Sequence, residues 1–442
     1  MTMLEYDEEV NNCVCFCCGN NCDDITYLLK DKQIVGIRNA CRLGASKVVC
    51  HPDQRLLNPM IRNEEGILEE TTWDEALDKV AMLLSESIRP LLYGWSESSI
   101  ESIKKGIKVS QLTGAVMDNS STIYHGTTIQ AFQNVGHPVT TYGEVKNRAD
   151  VIIYVGTNPM SDHPRHLSKF TAFPKGFFRQ GGRKDRQVIT WDPKFTNTAK
   201  ISDDWIQFNM NEDYYFFNAL RTVLKGQKID DEVAGVPKDK IMEMVNIMKN
   251  AECGVIFLGL GVSQTLSKQR NADILIRLIE DLNSYSKWSM LPMKGSLNVG
   301  GFNVALTSET GYPYGVDFAR GYPRYMIGET TTIDLLNRRE PDVFVSVSDD
   351  PVIQFPGYSI KHLVNIPVVQ IGTTWGPITE LSDVVLPSTN LGIETAGTVY
   401  RIDSVPLYMK KVVEEPRNCH SHEWIFIELY KRIQQLKCKG DN

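Results

Sequence analysis

The chain has 442 residues, of which 42% are hydrophobic and 23% charged, an ordinary balance for a globular protein with two or three cores. Its formal net charge of −7 excludes the basic stripe that a nucleic-acid surface needs, and no apolar run is long enough to span a membrane. The start, Met1 to Val10, is acidic rather than basic and apolar, so neither a secretory nor a twin-arginine leader is read there. Seven of the ten cysteines fall within the first 50 residues. Such crowding reads as metal binding before disulfides, with the reducing cytoplasm as the expected compartment.

In chain order, the first feature is Cys15-x2-Cys18-x3-Cys22, followed 19 residues on by Cys41. Three thiolates from one tight loop and a fourth from the next turn of chain suit an iron–sulfur cluster. A structural zinc also takes four thiolates, but its ligands more often come as two similar pairs. Cys13, Cys17 and Cys50 lie close by, and the 15/18/22 register is chosen because Gly19 follows the second ligand, where a tight turn is useful. Two short strands are expected at Ile25–Leu29 and Gln33–Ile37. An amphipathic helix follows from Trp73 through Leu84, capped by Thr71 or Thr72.

Beyond it, apolar strands alternate with helical patterns. Val151–Val155, Gln187–Trp191, Gly254–Gly259, Asp342–Val347 and Val368–Ile371 are short runs ending in Gly, Asn, Asp or Pro, as expected of parallel sheets covered on both faces. Two of them are near copies. Asp150-Val-Ile-Ile-Tyr-Val-Gly156-Thr157-Asn158-Pro159 matches Asp342-Val-Phe-Val-Ser-Val-Ser-Asp-Asp350-Pro351 at an offset of 192. A repeat at that distance implies two similar α/β domains, each offering a strand end to one half of a ligand. Gly259-Leu-Gly261 lacks the third glycine of a dinucleotide fingerprint, and no phosphate-loop, nucleophile-elbow or zinc-protease motif is present. Cys253, Cys419 and Cys438 read as incidental thiols.

Cys15-x2-Cys-Gly-x2-Cys22-Asp-Asp-Ile, Asn39-Ala-Cys41-Arg-Leu-Gly and Asp118-Asn-Ser-Ser-Thr-Ile-Tyr-His125-Gly126 resemble the molybdopterin oxidoreductase superfamily, and more narrowly the B subunits of formylmethanofuran dehydrogenases. Gly143-Glu-Val-Lys-Asn-Arg-Ala-Asp150, His163-Pro-Arg-His166, Asp192-Pro-Lys, Gly311-Tyr-Pro-Tyr314 and Gly397-Thr-Val-Tyr-Arg401 extend the likeness over nearly the whole chain. It implies an α/β fold with a [4Fe–4S] module over 1–55 and pterin-dinucleotide domains over 146–289 and 341–442. Residues 56–145 and 290–340 would be connecting and active-site segments, with 56–145 packing against the second domain, and no C-terminal β-barrel follows.

The resemblance also implies a bis-molybdopterin guanine dinucleotide around one tungsten or molybdenum. Asn158 and Asp350 would contact the two nucleotides beside Gly156 and Thr157, Asp192 would receive guanine N–H donors, and Lys47 would sit between cluster and pterin. Carbon dioxide would be reduced to formate, reversibly. The expected partners are an amidohydrolase-like subunit, a small β-barrel pterin-binding subunit and a polyferredoxin-type subunit.

Two positions depart from the family pattern. The residue before His125, a cysteine or selenocysteine metal ligand in the family, is Tyr124, a phenol of different softness and proton affinity. In Leu291-Pro-Met-Lys294-Gly-Ser, lysine replaces the arginine that holds the formate carboxylate, keeping the charge but losing the bidentate fork. His125, the neighbouring proton-handling group, remains. These changes leave three readings: an active variant, a redox-silent or electron-relay paralogue, and a likeness to the formyltransferase/hydrolase complexes of methylotrophs. The cysteine quartet argues against the last.

Overall fold

The structure, a computed structural model, describes residues 5–49 and 54–440; Cys50 lies outside the described residues. The chain forms two compact units. One comprises the described residues up to Ile123 with Ser296–Arg401 and the chain from Pro406 on; the other is Tyr124–Gly295 with Ile402–Val405.

The second unit is built on five parallel strands. Their spatial order is Asp204–Ile206, Gln187–Trp191, Val151–Val155, Cys253–Leu258, Lys287–Pro292. Val151-Ile-Ile-Tyr-Val155 is buried at every position, which is why it reads as an unbroken apolar run rather than an alternating one. Helices such as Gln269–Leu282, with eight buried residues, cover the sheet and build the main core of this unit.

The first unit carries a nine-stranded sheet whose centre is again five parallel strands: Val116–Asp118, Pro90–Gly94, Val343–Val347, Val368–Gly372, Val384–Pro387. Short antiparallel strands extend both edges. The sequence repeat takes the same place in both arrays. Val151–Val155 and Val343–Val347 are the central strands, and the next strand in sequence lies on the same relative side of each. The other side differs in chain order. It is filled by Cys253–Leu258 and Lys287–Pro292, which follow the repeat, in one unit, and by Pro90–Gly94 and Val116–Asp118, which precede it, in the other. Of the expected connecting segment 56–145, the stretch from Met60 to Asp118 supplies strands to the sheet of the second repeat, while the part from Tyr124 on belongs to the other unit.

A separate three-stranded antiparallel sheet, Glu8–Cys13, Ile25–Lys30 and Gln33–Arg38, opens the chain. The helix at Trp73 runs to Glu86. Its cap is Thr72, whose hydroxyl accepts from the Glu75 N–H while the Glu75 carboxylate accepts from the Thr72 N–H, a reciprocal capping box. No helix among the described residues is long and apolar enough to cross a membrane.

Candidate functional site

The four predicted cysteine ligands lie in one module. Cys15, Cys18 and Cys22 occupy the loop between the first two strands, and Cys41 immediately precedes the helix Arg42–Val49. The Cys15 N–H donates to the Cys22 carbonyl at 2.8 Å, drawing the loop closed. Gly44 packs against two of the sulfurs: a methyl group added there would stand 3.1 Å from Cys15 Sγ and 3.8 Å from Cys41 Sγ, while its N–H donates to Cys41 Sγ at 3.3 Å. Gly19 does stand in a tight turn after the second ligand: the Asn21 N–H donates to the Cys18 carbonyl at 3.0 Å, closing a turn with Gly19 and Asn20 at its centre, and Asn21 beyond it is left-handed at φ 40°. Burial pushes the Cys15 thiol up to about 12 and Cys18 up likewise, and neighbouring thiols add to both. With those shifts the sulfurs stay protonated and neutral in the metal-free protein, and binding a metal would release their protons. No three His, Cys, Asp or Glu side chains among the described residues converge as ligands of a single metal ion would.

Lys47, on the helix after Cys41, is ion-paired to Glu97 and lies over the Phe16 ring at 5.2 Å. Burial opposes its charge, but Glu97 and the Cys17 and Cys15 thiols hold the ammonium above the usual lysine range. From there a cavity of about 960 Å³ reaches the carboxyl ends of Val343–Val347 and Val368–Gly372, lined among others by Phe16, Lys47, Glu97, Asp349, Asp350 and Gln370. This is the switch point of the sheet, where successive strands are laid down in opposite directions and ligands of open α/β sheets bind. The backbone is unusual on both sides of it: Trp95 has φ 74° and Ser348 φ 62°.

Asp350 itself is engaged locally. Its Oδ1 accepts from the Val352 N–H at 3.0 Å and its Oδ2 from the Ile378 N–H at 3.1 Å, so its side chain joins two helix starts. The groups left open are its neighbours. Asp349 Oδ2 and Gln370 Oε1 are buried without a partner, while Ser96 Oγ donates to Asp349 Oδ1 and Gln370 Nε2 donates to the Thr374 carbonyl. Burial, with Glu97 nearby, raises Asp349 to about 6. Two orphaned acceptors on residues that line one cavity suit a ligand edge rich in N–H donors, such as that of a pterin or guanine. Sequence reasoning passed over both residues; the only signal was that Asp349 stands beside the repeat's Asp350. The Asp118 motif is structural. That fully buried carboxylate accepts from the N–H groups of Asn119, Gly315 and Thr332, fastening three segments, and burial raises it to about 6.

In the other unit the repeat ends at Gly156, Thr157 and Asn158. Gly156 has φ 56°, and a side chain there would meet Val262 N at 3.0 Å and Gly261 Cα at 3.1 Å. Gly259 is tighter still, with a Cβ position 2.2 Å from the Gly156 carbonyl oxygen. The Gly259-Leu-Gly261 pair thus serves close packing of two strand ends at this unit's switch point. Asn158 Oδ1 accepts from Thr198 N–H and Oγ1, and its amide donates to Ser161 Oγ. Asp192 Oδ1 accepts from the Lys194 N–H, and burial raises its pKa. Asp213, missed in the sequence, is buried with Oδ2 unpartnered; burial raises it, and Asp192 adds to the effect.

Tyr124, His125 and Lys294 also belong to this unit. Tyr124 is half-buried, and its carbonyl accepts from Ser263 Oγ at 3.0 Å. His125 precedes the helix Gly126–Val135; its Nε2 bonds the Met293 carbonyl at 3.1 Å, and its Nδ1 is buried and open. His163 Nε2 bonds the Lys294 carbonyl at 2.9 Å, with Nδ1 likewise open. Two imidazoles thus peg the backbone that presents Lys294 just beyond the strand Lys287–Pro292. Burial lowers Lys294 to about 8; burial, with Lys294 nearby, lowers His125 to about 4. At neutral pH the site holds a lysinium beside two neutral imidazoles, an arrangement able to bind an anion and pass a proton.

A family model of molybdopterin oxidoreductases matches residues 55–432. The B subunit of tungsten-containing formylmethanofuran dehydrogenase 2 from Methanocaldococcus jannaschii is 44% identical over 430 residues, covering 97% of this chain and 99% of that protein. The protein of the same name from Methanococcus maripaludis is 42% identical over 433 residues, covering 97% and 100%. Fold and site therefore define an oxidoreductase of the molybdopterin type. Within that class the chain belongs to the family of formylmethanofuran dehydrogenase B subunits.

Two solved structures share the fold. In the formyltransferase/hydrolase complex of Methylorubrum extorquens with methylofuran, one chain superposes with TM-score 0.71 at 17% identity, covering 86% of this chain and 99% of that one. Acetylene hydratase from Pelobacter acetylenicus gives 0.72 at 14%, covering 97% of this chain and 70% of that one.

Proposed function

We propose that this chain is the redox subunit of a cytoplasmic formylmethanofuran dehydrogenase complex, reducing carbon dioxide to formate, reversibly, for attachment to methanofuran. The single observation that carries the reading is the 960 Å³ cavity. It joins the cysteine module, through Phe16 and Lys47, to a strand-end switch point lined by two open acceptors. In this reading Cys15, Cys18, Cys22 and Cys41 hold a [4Fe–4S] cluster. The uneven spacing of three cysteines in one loop and a fourth before the next helix supports a cluster over a zinc site, whose ligands more often come as two similar pairs. Asp349 and Gln370 would receive one pterin dinucleotide, and Asp192 with the Gly156–Asn158 turn the other, both as guanine dinucleotides.

When bound, the pterin-held tungsten or molybdenum supplies the two-electron chemistry at carbon. The chain's own residues do the rest. Lys294 holds the formate carboxylate by charge, neutral His125 accepts or returns the proton, and Lys47 offers a cation between cluster and cavity. The amidohydrolase-like, small β-barrel and polyferredoxin-type subunits are the partners of this reading. Metal analysis of the purified complex tests it: iron together with tungsten or molybdenum at about one per copy of this chain supports it, and iron alone removes the catalytic part.

A second reading rests on Tyr124 and Lys294, which replace a soft metal ligand and a bidentate arginine. In it the chain is a redox-silent or electron-relay subunit. Formate oxidation with an artificial dye decides between the two. An inactive wild type that gains activity on Tyr124→Cys supports the silent reading; an active wild type removes it.

A further inference from the structure

Behind Glu97 lies a second, much smaller cavity that the redox reading leaves without a role. It has about 30 Å³ of space and is lined chiefly by polar side chains, including Glu97, Ser99, Thr389, Ser421, His422 and Glu423. Glu97 borders both this cavity and the large one, and it holds Lys47 on the large-cavity side. Thr389 is 5% exposed, and its Oγ1 is buried with no partner. His422 is buried with Nδ1 at 3.0 Å from Ser98 Oγ and Nε2 at 3.4 Å from Ser348 Oγ; Ser348 lines the large cavity as well. At the outer end, Glu423 is 41% exposed and meets Lys105 at 3.8 Å. A polar space of this size holds one or two water molecules, each needing two to four partners, whereas a dry cavity would be lined by apolar groups.

We propose that this cavity holds one or two ordered waters and conducts protons between solvent and the Glu97 carboxylate at the wall of the cofactor cavity. The route runs from Glu423 and Ser421 at the surface, through water bound by Thr389 and Ser99, to Glu97. The charged and titratable groups facing Glu97 are Lys47, Asp349, His422, Glu423 and the Cys17 thiol. His422, held low at about 4 by burial, stays neutral at working pH, so it offers one donor and one acceptor without trapping the proton. The purpose rests on the redox reading above: an electron placed beside Lys47 in a dry site is favoured when a compensating proton arrives. In the step tested here titanium(III) is oxidised to titanium(IV), its electron goes to the cluster that the redox reading places at the cysteines, and one proton moves from bulk water along the cavity and past Glu97 to the buried Asp349 carboxylate, which lines the same cofactor cavity.

Two measurements on the purified complex test this. A high-resolution structure should show water within hydrogen-bond distance of Thr389 Oγ1; a cavity without water density overturns the proposal. In stopped flow with titanium(III) citrate and a pH indicator, wild type should take up a proton as the cluster is reduced. Ala396→Leu, which fills the cavity, should slow that uptake at least tenfold while the cluster's electron-spin signal on full reduction is unchanged. Thr389→Val, which removes the water's anchor with little change of volume, should slow it as well, and uptake at wild-type rate in both variants overturns the conduit. Absence of any cluster signal in wild type would instead defeat the redox reading, and the water density would still decide the cavity.

Discussion

In the proposed reading Lys294 stands in for an arginine that would hold a carboxylate through two parallel hydrogen bonds, and lysine there has a titration that arginine lacks. Burial lowers its ammonium to about 8, so the charge is complete well below that pH and lost as pH rises through it. The KM for formate should therefore climb roughly tenfold per pH unit above 8 while kcat changes less. Lys294→Arg should hold KM flat to at least pH 10, and a wild-type KM that does not move between pH 8 and 10 would remove this role. Asp349 and Gln370 carry a different expectation. A lost hydrogen bond at a buried acceptor weakens binding by about 1–3 kcal/mol, so Asp349→Ala and Gln370→Leu should each lower the pterin content of purified protein several-fold. Mass spectrometry of the extracted cofactor checks this. Asp350→Asn keeps one capping acceptor and should leave that content near wild type.

At Gly259 the turn that closes a strand end depends on glycine for space rather than for conformation. Gly259 has an extended backbone, yet a Cβ there would stand 2.2 Å from the Gly156 carbonyl oxygen and 2.4 Å from Thr157 Cβ. Gly259→Ala should cost about 1–3 kcal/mol or more by overpacking, read as a lower urea midpoint for this unit, whereas Gly226→Ala, with nothing within 4 Å but φ 74°, should cost only backbone strain of order 1 kcal/mol. An equal loss in both variants would remove the packing argument.

The same contrast explains what could be read from the chain alone. Val151–Val155, Gln187–Trp191 and Val343–Val347 were legible because strands buried on both faces leave continuous apolar runs bounded by turn residues. Pro90–Gly94 and Lys287–Pro292 were not, because a five- or six-residue run carrying a proline or a lysine looks like a loop until its neighbours are known. That Asp350 would cap two helices while Asp349 stayed open is a property of tertiary hydrogen bonding, and spacing along the chain does not record it. Nor does it record that residues 60–118 complete the sheet begun by Val343–Val347.

Buried ionisable groups are divided unequally between the two units, and that division predicts how the molecule yields to acid. The Tyr124–Gly295 unit holds four histidines lowered chiefly by burial: His125 and His137 to about 4, His163 below its usual value, and His166 well below it. For each, the unfolded chain binds a proton below pH 6.5 that the folded chain refuses. The stability they contribute is complete above pH 6.5 and lost as pH falls toward 4, by ~3 kcal/mol for His137 alone. The other unit holds His422, lowered to about 4, and a partly buried, less perturbed His420. It also holds Asp118 and Asp349, both raised to about 6 by burial. Those carboxyls act in the opposite sense, binding protons in the folded state between pH 6 and 4 and adding stability there; in the Tyr124–Gly295 unit Asp192 and Asp213, also raised by burial, act likewise against four histidines rather than chiefly one. Acidification from pH 6.5 to 4 should thus loosen the Tyr124–Gly295 unit while the other stays nearly level. Hydrogen exchange read by mass spectrometry checks it: amides of Val151–Val155 and Cys253–Leu258 should lose protection at a higher pH than those of Val343–Val347 and Val368–Gly372. His137→Gln should shift only the first pair, and simultaneous loss in both sheets would refute the division.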